Sequence, residues 1–262
     1  MQIPRVRQIA TWIAGGMSVV LIIGAMSLPG FLAVTDPVHE GVLVVEAWIP
    51  ERTLADSANV FNSGHYRYLV IVGSTTQRNG ESKRATTDAD LAASRLENLG
   101  LDTKKLVAIS VPDKSFGRTL GRAMAVRRWL DSSGTSVCCV DIFTAGVHAR
   151  KSRILFRHAL GDRYRVGIIA GPEVRYDPRF WLVSKRGVWI VLRNLAGYLY
   201  SKLWILFKGN TEMYPAELTR DKRSSIVSLL HIGLGDHRGY FDRGVGLTPD
   251  STGRPNRSCA LS

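Results

Sequence analysis

The feature that most constrains this chain is a stretch without a charged residue, residues 9–34, IATWIAGGMSVVLIIGAMSLPGFLAV. About 20 apolar residues suffice for a helix to cross the hydrocarbon core of a bilayer, so the segment predicts a single transmembrane helix. Arg5 and Arg7 precede it, whereas Asp36, Glu40, Glu46 and Glu51 follow before the first basic residue, Arg52. Basic flanks stay on the cytoplasmic side. The expected topology therefore has the N-terminus inside the inner (cytoplasmic) membrane and the rest facing the periplasm or cell exterior. A soluble core helix is a third option, but it would be unusually long and free of a polar stripe; a signal peptide cleaved near Ala25-Met26-Ser27 is the nearer alternative. Apolar sequence continues past that point through Leu28, Phe31, Leu32 and Val34, which favours an uncleaved anchor. Both readings export the domain.

Behind the anchor, short apolar runs alternate with helical segments. GVLVVE (41–46), YLVIVG (68–73), LVAISV (106–111), VCCVDIF (137–143) and VGIIA (166–170) read as buried strands. Helices are expected over 52–62, 86–99, 116–130 and 148–160, with Gly64, Gly100, Gly134 and Gly161 as stops. Such alternation predicts an α/β fold, a Rossmann-like parallel sheet of about five strands with helices on both faces. Continuous apolar runs, rather than apolar–polar alternation, suit strands covered on both sides. The expected organisation is an anchor (1–36), an α/β domain (37–208) and a C-terminal extension (209–262). In that extension periodicity fades, and poor order is expected from about residue 235.

The run 188–207, VWIVLRNLAGYLYSKLWILF, is long enough to span a membrane but contains Arg193 and Lys202. Each would cost about 2.5–3.5 kcal/mol at a helix centre. A helix packed over the sheet edge is the first expectation, and a helix lying on the membrane surface the second.

Charge is concentrated rather than diffuse. The net charge is +13, and residues 144–208 alone carry 13 Lys and Arg against 3 Asp and Glu. A local positive field attracts phosphates, nucleic acids or anionic lipids, and export argues against nucleic acid. Membrane lipids and an anionic small-molecule or lipid-linked ligand are the expected partners. Cys138 and Cys139 are read as two small buried thiols. No Cys/His spacing suits zinc, so no metal is expected, and the sequence names no cofactor.

Ligands of such sheets bind beyond the carboxyl ends of the strands, where helix N-termini present free N–H groups. Glu46 follows the first strand, and Gly73 and Ser74, with Thr75 and Thr76, follow the second. Ser115, Arg118 and Thr119 follow the third; Thr144, Gly146, His148, Arg150 and Lys151 follow the fourth. Hydroxyls, helix N-termini and basic side chains together suit a phosphate or carboxylate. His148 is the candidate for proton transfer, and Glu46 for a base or an orienting group. Their structural alternatives are a helix cap or buried hydrogen bond for His148 and an arginine partner for Glu46. No Gly-x-Gly-x-x-Gly, Walker loop or Gly-x-Ser-x-Gly elbow occurs, against standard dinucleotide, nucleoside-triphosphate or acyl-hydrolase sites.

FTAGVHARKSRILF resembles the signature of the YdcF/SanA/ElyC-like family of bacterial envelope-associated domains: a Thr, a His four residues on, then an Arg three residues later. Thr144 and His148 match, with Lys151 at the Arg position and Arg150 beside it. SFGRTLGRAMAVRRWL resembles that family's Asn-Thr-x-x-Asn-Ala helix start; Thr119 and Ala123 match, while Arg118 and Arg122 replace the asparagines. VIVGST resembles its second strand, and the acidic residue usual before the third helix is missing unless Asp113 substitutes. The resemblance covers about residues 41–170. It implies a Rossmann-like fold and a role in envelope or peptidoglycan-related processes, without a mechanism. Two functions follow as expectations: an exported domain that binds, and acts on, an anionic ligand, or a non-catalytic envelope assembly factor with a basic partner-binding face.

Overall fold

The computed structural model describes residues 3–75, 87–112 and 117–208. Thr76, Thr86, Ser115 and the tail expected to lack order lie outside the described residues. A long helix α1 (Ile3–Leu32) precedes β1 (Glu40–Glu46), α2 (Glu51–Ser63), β2 (His65–Thr75), α3 (Asp88–Asn98), β3 (Leu106–Pro112) and α4 (Arg118–Ser132). Then follow β4 (Cys139–Ala145), α5 (Ala149–Leu160), β5 (Arg165–Gly171) and α6 (Lys185–Lys208). Tertiary contacts divide the chain into two units, Met1–Leu206 and Phe207–Ser262, and the first holds the sheet.

The five strands make one parallel sheet in the order β3-β2-β1-β4-β5. This is the α/β class expected from the alternating pattern. Successive strands first step outward from β1 to β3, and the chain then crosses back to place β4 on the other side of β1. The gap between the carboxyl ends of β1 and β4 is thus a topological switch point, the usual place for a ligand crevice.

Side chains alternate across a strand, and here they sort into two cores. Val42, Val44, Val70, Val72, Val140 and Ile142 face α4 and α5, meeting Ala123, Val126, Leu130 and Phe156. Leu43, Val45, Leu69, Ile71 and Phe143 face α2 and α3, meeting Leu54, Phe61, Ala92 and Leu96. Burial on both faces explains why the strands read as unbroken apolar runs. Cys139 is buried at the start of β4, while Cys138, just before it, is only half-buried and so departs from the expected pair of buried thiols.

Residues 33–39 run from α1 along β5 to β1. Asp36 bridges Ile168, and the buried Asp141 carboxylate accepts from the backbone N–H groups of Val38 (2.8 Å) and His39 (2.8 Å) and from the Tyr66 hydroxyl (2.7 Å). Three donors satisfy a carboxylate that has no ion-pair partner among the described residues. Burial first, and the Asp141 carboxylate second, raise the pKa of the Tyr66 hydroxyl.

α1 contains the one span, Thr11–Leu32, with the length and mean hydropathy (1.8) to cross a membrane among the described residues. α6 is not such a span. Its Val191 and Tyr198 pack on Leu32 of α1 and Val147 after β4, at the carboxyl edge of the sheet.

The tightest backbone packing predicts a stability test. A Cβ on Gly167 would lie 1.9 Å from the Asp141 Oδ1 and 2.9 Å from the Val38 nitrogen. Gly167→Ala should therefore cost about 1–3 kcal/mol through overpacking. Gly121→Ala, inside α4 with open space around it, should gain about 0.5–1 kcal/mol. Denaturant unfolding of the detergent-solubilised protein measures both.

Candidate functional site

The period-2 pattern that builds the α4/α5 core changes chemistry at the carboxyl edge. Val42 and Val44 are followed on that face by Glu46, Val70 and Val72 by Ser74, and Val140 and Ile142 by Thr144. The helices above change in step. The inward stripe of α4 runs Thr119, Arg122, Ala123, Val126, Leu130, so its polar members sit at the N-terminal end. On α5 the stripe runs Ser152, Phe156, Ala159, with His148 one turn earlier. One layer of the sandwich is therefore polar, and it lies beside the switch point.

Glu46 is fully buried at its centre. Its Oε2 accepts a 2.8 Å hydrogen bond from Ser152 and lies 3.8 Å from His148 Nε2, while Oε1 lies 3.6 Å from Arg122 Nη1. Arg122 is buried too, and its Nη2 donates to Ser74 Oγ at 2.9 Å. Burial by itself would push the Glu46 pKa up. His148 when protonated, Arg122, and the Thr144 and Ser152 hydroxyls outweigh that and hold the carboxyl below its ordinary value. Thr144 lies close enough to favour the ionised form, yet its Oγ1 makes no hydrogen bond of good geometry. Arg122 Nε is likewise without a partner.

His148 is oriented from α6. Its Nδ1 lies 2.8 Å from Asn194 Oδ1, and Asn194 Nδ2 donates to the Ile190 carbonyl at 2.8 Å. That second bond sets which end of the amide faces the ring, so Nδ1 carries the proton and Nε2 presents a lone pair. Thr119 Oγ1 lies 3.4 Å from Nε2, and Trp48 packs edge-on against the ring with centroids 4.7 Å apart. Burial, then the Lys151 ammonium, lowers the imidazole pKa to about 4 against the opposing pull of Glu46 and Asn194. At neutral pH the ring is thus neutral and its Nε2 can accept a proton. Asn194 holds the geometry without adding a charge, as an orienting third group does in hydrolytic triads.

Among the described residues, cations outnumber carboxylates around Glu46. The Lys151 pKa is lowered to about 8, first by burial and then, against Glu46, by Arg193, Arg118 and Arg122. The Lys151 side chain runs beside Gly197 of α6, where an added Cβ would lie 3.2 Å from its Cδ. Neither α4 nor α5 has an acidic residue in its first turn. Their N-termini carry Arg118, Arg122, Arg150 and Lys151, the charge sign a helix dipole disfavours at that end. An anion placed there would relieve the crowding of cations and interact favourably with the two helix N-termini.

The structure thus gathers Glu46, Ser74, Thr119, Thr144, His148 and Lys151 at one edge, with Arg118 exposed at its rim. Two candidates go elsewhere. Gly73 faces the opposite layer, where a Cβ would lie 2.6 Å from the Ala89 nitrogen; it admits the start of α3 rather than a ligand. Arg150 donates from Nε to the Phe31 carbonyl and covers the Phe31 ring at 4.0 Å, so it holds the end of α1. His148 occupies the N-cap position of α5 but its side chain makes no capping bond. Four neighbours were missed: Arg122, noted only as a replaced asparagine, and Ser152, Asn194 and Trp48. Polar residues at core-facing helical positions, such as 122 and 152, were the available signal.

Among the described residues no cluster of His, Cys, Asp and Glu could hold a metal ion. A cavity of about 370 Å³ is lined by Asp36, Arg153, Arg157, Asp162 and Arg165 beside β5, away from Glu46, and Arg153 is already paired with Asp36. No protein-family model matches the chain, and no curated protein matches it significantly.

Two measurements follow. Arg122→Ala leaves Glu46 buried without its cation and should cost about 3–5 kcal/mol, whereas Glu46→Leu with Arg122→Met should restore most of the stability. The folded pKa values of His148 and Glu46 both lie below their unfolded values of 6.5 and 4.5. The unfolded state therefore binds protons first as pH falls. Stability should drop between pH 6.5 and about 4 through His148, and further below 4.5 through Glu46. His148→Gln should remove the first part of that slope in denaturation curves taken across pH.

Proposed function

We propose that this is a membrane-anchored envelope protein whose exported domain binds a small anion, of phosphate or nucleotide type, at the carboxyl edge of its sheet. The observation that carries this reading is the buried Arg122, which bridges Glu46 and Ser74 while the basic Lys151 and Arg193 lie nearby. A buried ion pair is rarely a net source of stability, so its retention beside a switch point is better explained by ligand chemistry. Arg122 Nε and the Thr144 hydroxyl each have a hydrogen-bonding valence to offer. The neutral His148 Nε2 supplies a proton acceptor, which suits a reaction on the bound anion.

The likeness of the Thr144–His148 segment to the YdcF/SanA/ElyC-like family supports placing this activity in cell-envelope or peptidoglycan metabolism. A non-catalytic assembly factor with a flat basic face is the alternative. The burial of Thr119, Arg122 and His148 argues against it, because groups meant for a broad partner surface would be solvent-facing. The anchor reading rests on α1, with its basic N-terminal flank and acidic C-terminal flank.

Sulfate tests the site because its charge does not change across the useful pH range. Calorimetric titration of the detergent-solubilised full chain should show sulfate binding that weakens as pH rises through about 8, where Lys151 loses its proton. Lys151→Met should reduce affinity about 10–100-fold, the equivalent of about 1.5–3 kcal/mol for a charge-assisted bond, and flatten that pH dependence. Absence of sulfate binding in the wild type would defeat the proposal. Topology is tested separately: a reporter active only outside the cytoplasm, fused after Ser262, should be active, and cytoplasmic-only activity would overturn the exported location.

A further inference from the structure

The anchor does not leave the domain at an arbitrary point. Leu32, the last residue of α1, is fully buried against Val147, the neighbour of His148. Arg150 grips Phe31, and the Ala170 N–H at the end of β5 donates to the Thr35 hydroxyl at 3.1 Å. α1 therefore ends at the same edge of the sheet as the polar site.

α6 runs beside it, with Tyr198 edge-on to Phe31 at 5.9 Å. Its inner face carries Val191, Asn194, Tyr198 and Ser201, all buried. The opposite face carries Trp189, Leu192, Ala196, Leu199, Leu203 and Leu206, all exposed and spaced alternately by three and four residues. That spacing is one continuous stripe on a helix. The turn before α6 adds Phe180, Leu182 and Val183, which are 64%, 47% and 85% exposed. α6 has no acidic residue, and Lys185, Arg186, Arg193 and Lys202 are exposed around the stripe. Large contiguous apolar surface flanked by cations is what a helix needs to lie in the headgroup layer of an anionic bilayer.

We propose that the outer face of α6, with Phe180, Leu182 and Val183, lies on the lipid surface beside the exit of α1, and that the site takes its anion from the headgroup layer as a lipid phosphate. The choice of a lipid occupant rests on the adjoining apolar α1 and on the all-basic margin of the stripe; the choice of ligand rests also on the anion-binding reading above. The same helix then has two duties. One face rests on lipid, and the other holds His148 through Asn194, so docking and orientation of the proton acceptor are mechanically linked.

The test uses the full chain in vesicles of phosphatidylcholine and phosphatidylglycerol. Lipids brominated near the headgroup should quench tryptophan emission more in the wild type than in Trp189→Phe, the difference reporting Trp189 alone. Leu199→Glu with Leu203→Glu should abolish that difference while α1 keeps the protein in the vesicle. Equal quenching of wild type and Trp189→Phe overturns the docking, as does a stripe protected by dimerisation in cross-linking. Adding phosphatidic acid to the vesicles should weaken sulfate binding about tenfold, whereas soluble glycerol phosphate at the same total concentration should have little effect. Equal competition by the two places the ligand in solution and overturns the lipid source. Failure of the anion site itself is distinct: sulfate binding would then be missing in detergent even with Trp189 quenching intact.

Discussion

Glu46 sits at the end of the central strand with no exposure to solvent, and a carboxylate in that position must be neutralised or matched by donors from every side. Ser152 from α5, Arg122 from α4 and His148 after β4 all converge on it, and each is in turn held by a neighbour. Arg122 reaches Ser74 at the end of β2, while His148 reaches Asn194 on α6. One buried charge thereby ties three strands and three helices together at the carboxyl edge. The apolar layers beneath it supply the bulk of the burial, but they would serve equally well if the edge were apolar. A buried ion pair is rarely a net source of stability, and this one lies at the switch point of the sheet.

The same edge concentrates the rest of the unusual features. Two helix N-termini carry bases where acids are preferred. The apolar helix α1 ends there, and α6 crosses it with an apolar stripe outward and Asn194 inward. Taken separately, each has an ordinary explanation, such as a packed helix, a solvated base or a long connector. Together they place a cation-rich layer with a neutral imidazole next to the end of the long apolar helix α1. The opposite end, by contrast, is a structural joint: Asp141, Tyr66 and Gly167 fasten the connecting segment, and every oxygen of Asp141 is satisfied by fixed donors.

Much of this was legible in the residue order. The absence of charge over residues 9–34, five apolar runs with turn residues between them, and the excess of bases after Thr144 depend only on local sequence, and hydrophobicity acts locally. These determined one long apolar helix, a doubly covered parallel sheet, and a positive carboxyl edge with Glu46, Ser74, Thr119, Thr144, His148 and Lys151 as its candidates. Tertiary structure alone decided the rest. It turned Arg150 onto Phe31 and Gly73 onto α3, and it brought in Arg122, Ser152 and Asn194, from 76 to 148 residues beyond Glu46 in the chain. It also set α6 against α1 with its apolar stripe outward. The physical reason is that periodicity tells which side of an element is buried but not which element buries it. A polar residue on a core-facing position acquires its role only when crossover order puts another element's charge within a few ångströms of it.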